Sequence, residues 1–185
     1  MCRYVRKGDI VKIILNAGHT KSGKGSGAVG FIHESDETRR VVNLVKYYLR
    51  GKGHEVIVAN IDKAESQYEY LYSVVKQANK HADADLFVSV HFNAGGGTGT
   101  ECYTYKGKKT PQAVGVCEEL NKYGFLNRGV KDGSALYVIS KTKMPALLVE
   151  VCFVDNKKDC DLYESVTVNK VAQAITRGIL KKELL

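Results

Sequence analysis

The sequence has 185 residues, 44% of them hydrophobic, which suits one globular domain and excludes a largely disordered chain. Its five cysteines form no C-x-x-C pair, which argues against a disulfide framework and against a structural zinc knuckle. The 28 Lys and Arg exceed the 20 Asp and Glu, and the resulting net charge of +8 favours a polyanionic partner such as nucleic acid, an acidic membrane or an anionic cell wall.

The N-terminal segment is basic and lacks the apolar core of a secretory signal. We therefore expect synthesis in the cytoplasm without a signal peptide. Val11 resembles a translation start, so we interpret residues 1–10 as an N-terminal extension and residues 11–185 as the functional domain. No later apolar run is long enough to cross a bilayer, which predicts that the protein does not insert stably into a membrane.

Strands and helices alternate along the rest of the chain. Period-two and continuous apolar runs predict strands over 9–15, 55–60, 86–92, 100–105, 136–139 and 146–153. Helical spacing predicts helices over 35–50, with Ser35 as the N-cap, and over 68–82, 111–123 and 166–180. Apolar strands separated by helices predict a single-domain α/β fold, with a mainly parallel twisted β-sheet flanked by helices on both faces.

Reactive side chains lie at three of the predicted strand ends. His19 follows the first strand, His91 ends the third, and Glu150 lies in the last. In open α/β sheets the carboxyl ends of the strands carry the chemistry, so these side chains are expected to meet. Two histidines and a carboxylate suit a catalytic metal with one open position. Such a site also needs a base, and Glu34, near a predicted helix start, supplies a second carboxylate.

Spacing alone does not decide which carboxylate binds the metal and which acts as the base. Glu101 and Asp155 remain candidates for either role, and His33 competes with its neighbour Glu34. Glu150 has apolar neighbours on both sides, and a buried carboxylate without a partner is costly, which favours a functional role. We expect the glycines of the segment 95–99 to leave room for a bulky substrate.

Several motifs resemble the zinc-dependent N-acetylmuramoyl-L-alanine amidases of the Amidase_3 family. The resemblance is carried by 13-IILNAGHT-20, 30-GFIHES-35, 86-LFVSVHFNA-94 and the segment 128–156, in the family's order, and extends over about residues 11–180. It implies one Zn²⁺ ion held by His19, Glu34 and His91, with Glu150 as the catalytic glutamate. The first motif departs from the D-P-G-H-G-G pattern of many members but keeps the histidine, so we expect zinc binding to be retained and the loop to differ in shape and substrate contacts.

The same resemblance implies a substrate and a place of action. The expected reaction is hydrolysis of the amide between N-acetylmuramic acid and the L-alanine of peptidoglycan, at the bacterial cell wall. The compact size resembles phage endolysins of clostridia, which would need a holin for release, but a host autolysin or sporulation enzyme stays open. The alternatives are another zinc peptidase acting on the stem peptide, a basic nucleic-acid-binding module and a wall-binding protein without catalysis. With the motifs present, we expect peptidoglycan and not nucleic acid as the partner.

Overall fold

The computed structural model describes residues 10–23 and 25–182. The predicted N-terminal extension, residues 1–10, lies outside the described residues except for Ile10, so its assignment stays a prediction. Four of the five cysteines fall in the described part, and all four are free and buried. Among the described helices, none is both long enough and apolar enough to cross a membrane.

Six strands form one sheet in the order β2-β1-β3-β6-β4-β5. The strands are β1 (Lys12–Ala17), β2 (Glu55–Val58), β3 (Leu86–Asn93), β4 (Thr100–Thr104), β5 (Asn127–Asp132) and β6 (Ala146–Phe153). The helices are α1 (Glu34–Gly51), α2 (Gln67–Asn79), α3 (Pro111–Asn121), α4 (Tyr137–Lys141) and α5 (Lys157–Ile179). Every neighbouring pair of strands is parallel except β4 and β6, which confirms the predicted mainly parallel sheet.

Helices cover both faces of the sheet, and each face has its own apolar core. Strand β1 supplies both cores, since Ile13 and Leu15 pack with α1, α3 and α5 whereas Ile14 packs with α2 and α4. Successive side chains of a strand point to opposite faces, so a strand that is covered on both sides must be apolar at every position. This requirement explains the continuous apolar runs in the sequence.

Three predicted elements are wrong in type or position. Residues 136–139 are not a strand, because α4 begins at Tyr137. Helix α5 begins at Lys157, where the Asn156 side chain caps it, and not at residue 166. Its helical backbone is interrupted at Thr167, which has a φ of 72°. In addition, the sequence patterns did not predict strand β5. His33, not Ser35, is the N-cap of α1. The last difference matters for function because it places Glu34 in the first turn of the helix.

The glycine-rich loop between β3 and β4 is held by two acidic side chains. Asp155 accepts hydrogen bonds from the backbone N–H groups of Gly95 and Gly96, at 2.7 and 2.9 Å. The buried carboxylate of Asp159 accepts another from Gly99 at 2.8 Å. Hydrogen bonds to charged acceptors are stronger than neutral ones, so the loop has a defined conformation.

Two glycines of this loop are required by packing. A Cβ atom on Gly97 would lie 2.3 Å from the ring of Phe153, and one on Gly99 would lie 2.2 Å from the backbone oxygen of Leu126. Neither position could accept a side chain without displacing its neighbour. Gly97 and Gly99 therefore have a packing role, and the expectation that the segment 95–99 leaves room for a bulky substrate stays a prediction.

Candidate metal centre

His19, Glu34 and His91 meet at the carboxyl end of the parallel strands. The Oε1 atom of Glu34 lies 3.2 Å from Nε2 of His19 and 3.1 Å from Nδ1 of His91. The two imidazole rings are 4.8 Å apart between centroids and nearly perpendicular. One potential ligand atom from each of the three residues lies within 4.8 Å of the other two. Residues 72 positions apart in the chain thus form one cluster.

The backbone around His19 fixes the direction of its ring. His19 has a φ of 67°, in the left-handed region that residues other than glycine seldom adopt. The N–H of Gly18 donates to the carbonyl of Val90 at 2.8 Å, which attaches the turn to β3. Nδ1 of His19 donates to the carbonyl of Gly25 at 3.1 Å, so Nε2 is left with its lone pair directed at the cluster. This is the arrangement that a metal-binding histidine requires.

Glu34 is held from two sides before any ligand binds. Its side chain is 3% exposed; Oε2 accepts a hydrogen bond from the N–H of Ala28 at 2.8 Å, and Oε1 accepts one from Phe92 at 3.0 Å. Burial raises the pKa of this carboxyl, but the hydrogen bonds with His19 and His91 outweigh burial and hold the pKa well below its ordinary range. A lowered pKa favours the carboxylate form of Glu34, which is the form that could bind a metal ion.

His91 lies near the end of β3, with its side chain 16% exposed. Burial lowers the pKa of its imidazole below the ordinary value and outweighs the opposing effect of Glu34. A lower pKa keeps the ring neutral, and the neutral ring is the form that binds metals.

The three residues fit a metal ion. Two imidazoles and one carboxylate supply nitrogen and oxygen donors, and one such atom from each residue lies within 4.8 Å of the others. Lone pairs that face each other need a cation or a shared proton between them. The group can therefore bind a metal ion, as expected from the sequence.

Glu150 lies beside this cluster on the neighbouring strand. In the register of β3 and β6, Glu150 is paired with His91, so both side chains leave the same face of the sheet. The Oε2 atom of Glu150 is buried and has no hydrogen-bond partner among the described residues. Burial raises the pKa of Glu150 well above its usual value, and the negative charges of Glu34 and Glu101 raise it further. An unpaired buried carboxyl beside a metal cluster is suited to proton transfer.

The alternative acidic candidate Glu101 is occupied elsewhere. Its carboxylate accepts a hydrogen bond from Nε of Arg128 at 2.7 Å, and from Asn93 and the Tyr103 hydroxyl, both at 2.9 Å. Both oxygens of Glu101 are thus engaged by other side chains of the protein.

The other two alternatives also lie outside the cluster. Asp155 binds the glycine-rich loop, as described above. His33 precedes Glu34 in the sequence, but its side chain is 63% exposed and lies 4.0 Å from Asp36. Of the acidic candidates that spacing left open, the structure places Glu34 in the cluster and Glu150 next to it.

Three further residues shape the site and were not identified from the sequence. A Cβ atom on Gly18 would lie 2.3 Å from the His91 ring. A Cβ atom on Gly27 would lie 2.6 Å from Oε2 of Glu34. Arg39 donates to the backbone oxygen of His19 at 3.1 Å and thereby joins the loop to α1. Nothing in the sequence pattern distinguishes Arg39 from its neighbour Arg40, so its contact with the loop could not be predicted.

Replacing Gly27 with alanine is expected to weaken metal binding about tenfold or more. Gly27 has a φ of 84°, and its new methyl group would push against Glu34 and His19. Gly53→Ala is a matched control in the turn after α1, because Gly53 has the same φ of 84° but no described atom lies within 4 Å of its Cβ. Both variants should lose about 1 kcal/mol of stability from the left-handed backbone. Titration with zinc separates them; equal metal affinity in the two variants would contradict the steric explanation.

A cavity of about 850 Å³ contains the cluster and extends toward α2 and α4. Its walls include the histidines, Glu150 and residues from both helices: His19, His91, Glu150, Gln67, Leu71 and Tyr137. The volume is in the range of ligand-binding pockets. The cavity volume is therefore large enough for a substrate group bigger than a single amide bond.

Comparisons with known proteins agree with this arrangement. The family model described as N-acetylmuramoyl-L-alanine amidase (Amidase_3) matches residues 13–181. The endolysin of Bacillus phage SPP1 is 35% identical over 178 residues, which cover 89% of this chain and 63% of that protein. The chain spans 51–63% of the length of three curated relatives, the other two being from Clostridium perfringens.

Two solved structures show the same architecture. The catalytic domain of the CD27L endolysin targeting Clostridia Difficile is 29% identical with a TM-score of 0.85, covering 95% of this chain and 99% of that one. The catalytic domain of CwlV, an N-acetylmuramoyl-L-alanine amidase from Bacillus (Paenibacillus) polymyxa, is 31% identical with a TM-score of 0.73, covering 92% and 96%. The fold, and the region that contains the cluster, are thus shared with amidase catalytic domains.

Proposed function

Because the chain belongs to the Amidase_3 family of N-acetylmuramoyl-L-alanine amidases, we propose that it hydrolyses the amide between N-acetylmuramic acid and the L-alanine of peptidoglycan. The observation that carries the proposal is the convergence of His19, Glu34 and His91 beside the unpaired carboxyl of Glu150. The names of the similar proteins, an endolysin and an N-acetylmuramoyl-L-alanine amidase, support the choice of substrate.

The metal in this proposal is one Zn²⁺ ion, held by His19, Glu34 and His91. Imidazole nitrogen suits zinc, whereas magnesium and calcium prefer sets of oxygen ligands. Two histidines and one glutamate also match catalytic zinc sites, which keep a fourth position open for water or substrate. The neutral His91 ring and the ionised Glu34 are already in the protonation states that metal binding requires.

In the proposed mechanism, the cluster holds the metal ion and Glu150 transfers the proton. A zinc ion bound here would supply Lewis acidity, which makes water acidic enough to ionise near neutral pH, polarises a carbonyl oxygen and favours ionised carboxylates nearby. Glu150 takes a proton from the attacking water and then delivers it to the departing nitrogen of L-alanine. Glu34 keeps its orientation through its hydrogen bonds to Ala28 and Phe92. The general base and the ligands are separate groups.

The proposed activity also implies where the protein acts. The net charge of +8 attracts the protein to anionic polymers of a bacterial cell wall. We place the catalytic unit in residues 11–185 and its action at the wall after synthesis in the cytoplasm. As a phage endolysin it would require a holin for release, and as a host autolysin or sporulation enzyme it would use another route.

The test is to identify the chain ends that appear during digestion of purified peptidoglycan. An amidase releases stem peptides with a new N-terminal L-alanine and leaves the glycan strands intact. A zinc peptidase would expose an amino group inside the stem or the cross-bridge, and this product would overturn the proposal. Digestion should stop with a chelator and resume when zinc is added in excess of the chelator.

A further inference from the structure

Three tyrosines form an aromatic surface beside the cavity: Tyr68 and Tyr72 on α2, and Tyr137 at the start of α4. We call this surface the tyrosine platform. The rings of Tyr68 and Tyr72 stack with centroids 6.1 Å apart and planes inclined by 22°. The ring of Tyr137 meets that of Tyr68 nearly perpendicularly at 6.2 Å. The three rings therefore form one continuous surface.

The two platform tyrosines on α2 do not take part in packing the helix against the sheet. This helix buries Tyr70, Val74 and Val75 against the sheet, whereas Tyr68 and Tyr72 are 67% and 45% exposed. Clustered exposed apolar surface commonly marks a binding site, and tyrosine adds a hydroxyl that stays hydrated. A ligand could therefore cover these rings without any change in the core.

The platform is continuous with the cavity that holds the reactive groups. Tyr137 belongs to both, and Gln67 and Leu71 of α2 line the cavity on the way to His91 and Glu150. The cavity volume of about 850 Å³ exceeds what one amide bond occupies. A substrate whose scissile bond lies at Glu150 can thus extend along α2 to the platform.

The chemistry of the cavity favours an uncharged, polar part of the substrate. Within the described residues, no Lys or Arg side chain lines the cavity. The platform itself has a basic neighbour, since Nζ of Lys76 lies 5.8 Å from the centroid of the Tyr72 ring, which is not part of the cavity wall. The stem peptide carries free carboxylates, which bind best to basic side chains. A pyranose ring of the glycan is uncharged, and it presents a face of C–H groups together with hydroxyl and acetamido groups. Aromatic rings match that face, and the amide of Gln67 and the tyrosine hydroxyls match its polar edge.

We propose that the tyrosine platform is a subsite that stacks against a sugar ring of the peptidoglycan glycan strand. This inference rests on the proposed function, because it places the glycan on the α2 side of a scissile amide at Glu150. The platform contributes affinity and direction to the substrate, and the chemical step stays with the metal cluster and Glu150.

The test measures binding without hydrolysis, so it does not depend on the amidase assignment. Short oligosaccharides of N-acetylglucosamine, which are uncharged and carry the same pyranose and acetamido groups, are titrated into the protein by calorimetry or NMR. The double variant Tyr68→Ala/Tyr72→Ala is expected to bind at least about tenfold more weakly, since two aromatic contacts are lost. Tyr68→Phe/Tyr72→Phe should retain most of the affinity because the rings remain. Tyr47→Ala, a change of a 69% exposed tyrosine on α1, should bind like the unaltered protein.

Several outcomes would overturn the platform proposal. They are equal affinity of the alanine double variant and the unaltered protein, or no glycan binding by the unaltered protein. Circular dichroism checks folding, and the single variants Tyr68→Ala and Tyr72→Ala replace the double variant if it is unstable. Tyrosine-dependent glycan binding without any release of L-alanine ends would instead refute the proposed reaction and leave the platform in place.

Discussion

Replacing Glu150 with glutamine is expected to abolish hydrolysis of purified cell walls, with kcat lower by about 10²–10⁴-fold, while the metal stays bound. Glutamine has nearly the same shape but cannot take up a proton from water. The three ligand residues are unchanged in this variant, and Glu150 makes no hydrogen bond through Oε2 that the cluster needs. Glu150→Ala should lose the same activity. Turbidity loss of wall suspensions and metal content after dialysis are the two measurements.

The matched control is Glu164→Gln, an exposed glutamate on α5, which should leave both measurements unchanged. Turnover near the normal rate in Glu150→Gln would remove Glu150 from the mechanism. Loss of both turnover and metal would instead place Glu150 among the ligands and contradict the separation of roles.

The same variant has an expected effect on stability in the metal-free protein. The pKa of Glu150 is raised in the folded state, so folding is opposed when pH lies above the ordinary glutamate range and is relieved as pH falls toward it. Glu150→Gln removes a charge that the fold must bury, so its free energy of unfolding should exceed that of the unaltered protein at neutral pH. Urea unfolding at several pH values should show the difference shrink in acid.

Replacing His91 with alanine is expected to lower zinc affinity by about 100-fold or more and to eliminate activity. Only His19 and Glu34 of the cluster would remain, and two ligands do not complete a catalytic zinc site. The Glu34 carboxylate would also lose one of the two imidazoles that lie within 3.2 Å of it. Competition titration against a zinc chelator measures the affinity directly.

His33→Ala is the control for this experiment. His33 is adjacent to Glu34 in the chain but is 63% exposed and makes no side-chain cap to α1, so zinc affinity should not change. One tightly bound zinc per chain in His91→Ala would show that the cluster is not the metal site.

The sequence predicted the apolar parts of the fold better than the polar ones. Strand β6 was predicted with its exact bounds, because it is apolar on both faces and bounded by proline and by Asp155. Strand β5, NRGVKD, lies at the sheet edge and is mostly exposed, so it has no buried face to create a period. Helix α4 has five residues, and so short an apolar run does not distinguish a helix from a strand.

Sequence reasoning named residues that the structure brings together, but it did not predict the contacts that hold them. Strand-end positions singled out His19, His91 and Glu150, because parallel strands carry their carboxyl ends to one edge. The order of motifs then implied that Glu34 is a ligand. The hydrogen bond from His19 to Gly25 and the fit of Gly27 against Glu34 depend on a loop conformation. No periodicity encodes such contacts, so only the folded structure reveals them.

The hydrogen bonds to Glu34 have a consequence for how the protein acquires its ion. Backbone groups of Ala28 and Phe92 already orient the carboxylate, and the Gly25 carbonyl orients the His19 ring. Many small metal domains unfold when stripped of their ion, because the ion is what assembles them. Here the same backbone contacts belong to a sheet with two apolar cores. The fold therefore has stabilising contacts of its own, and we expect the ion to contribute less to folding than it does in those small domains.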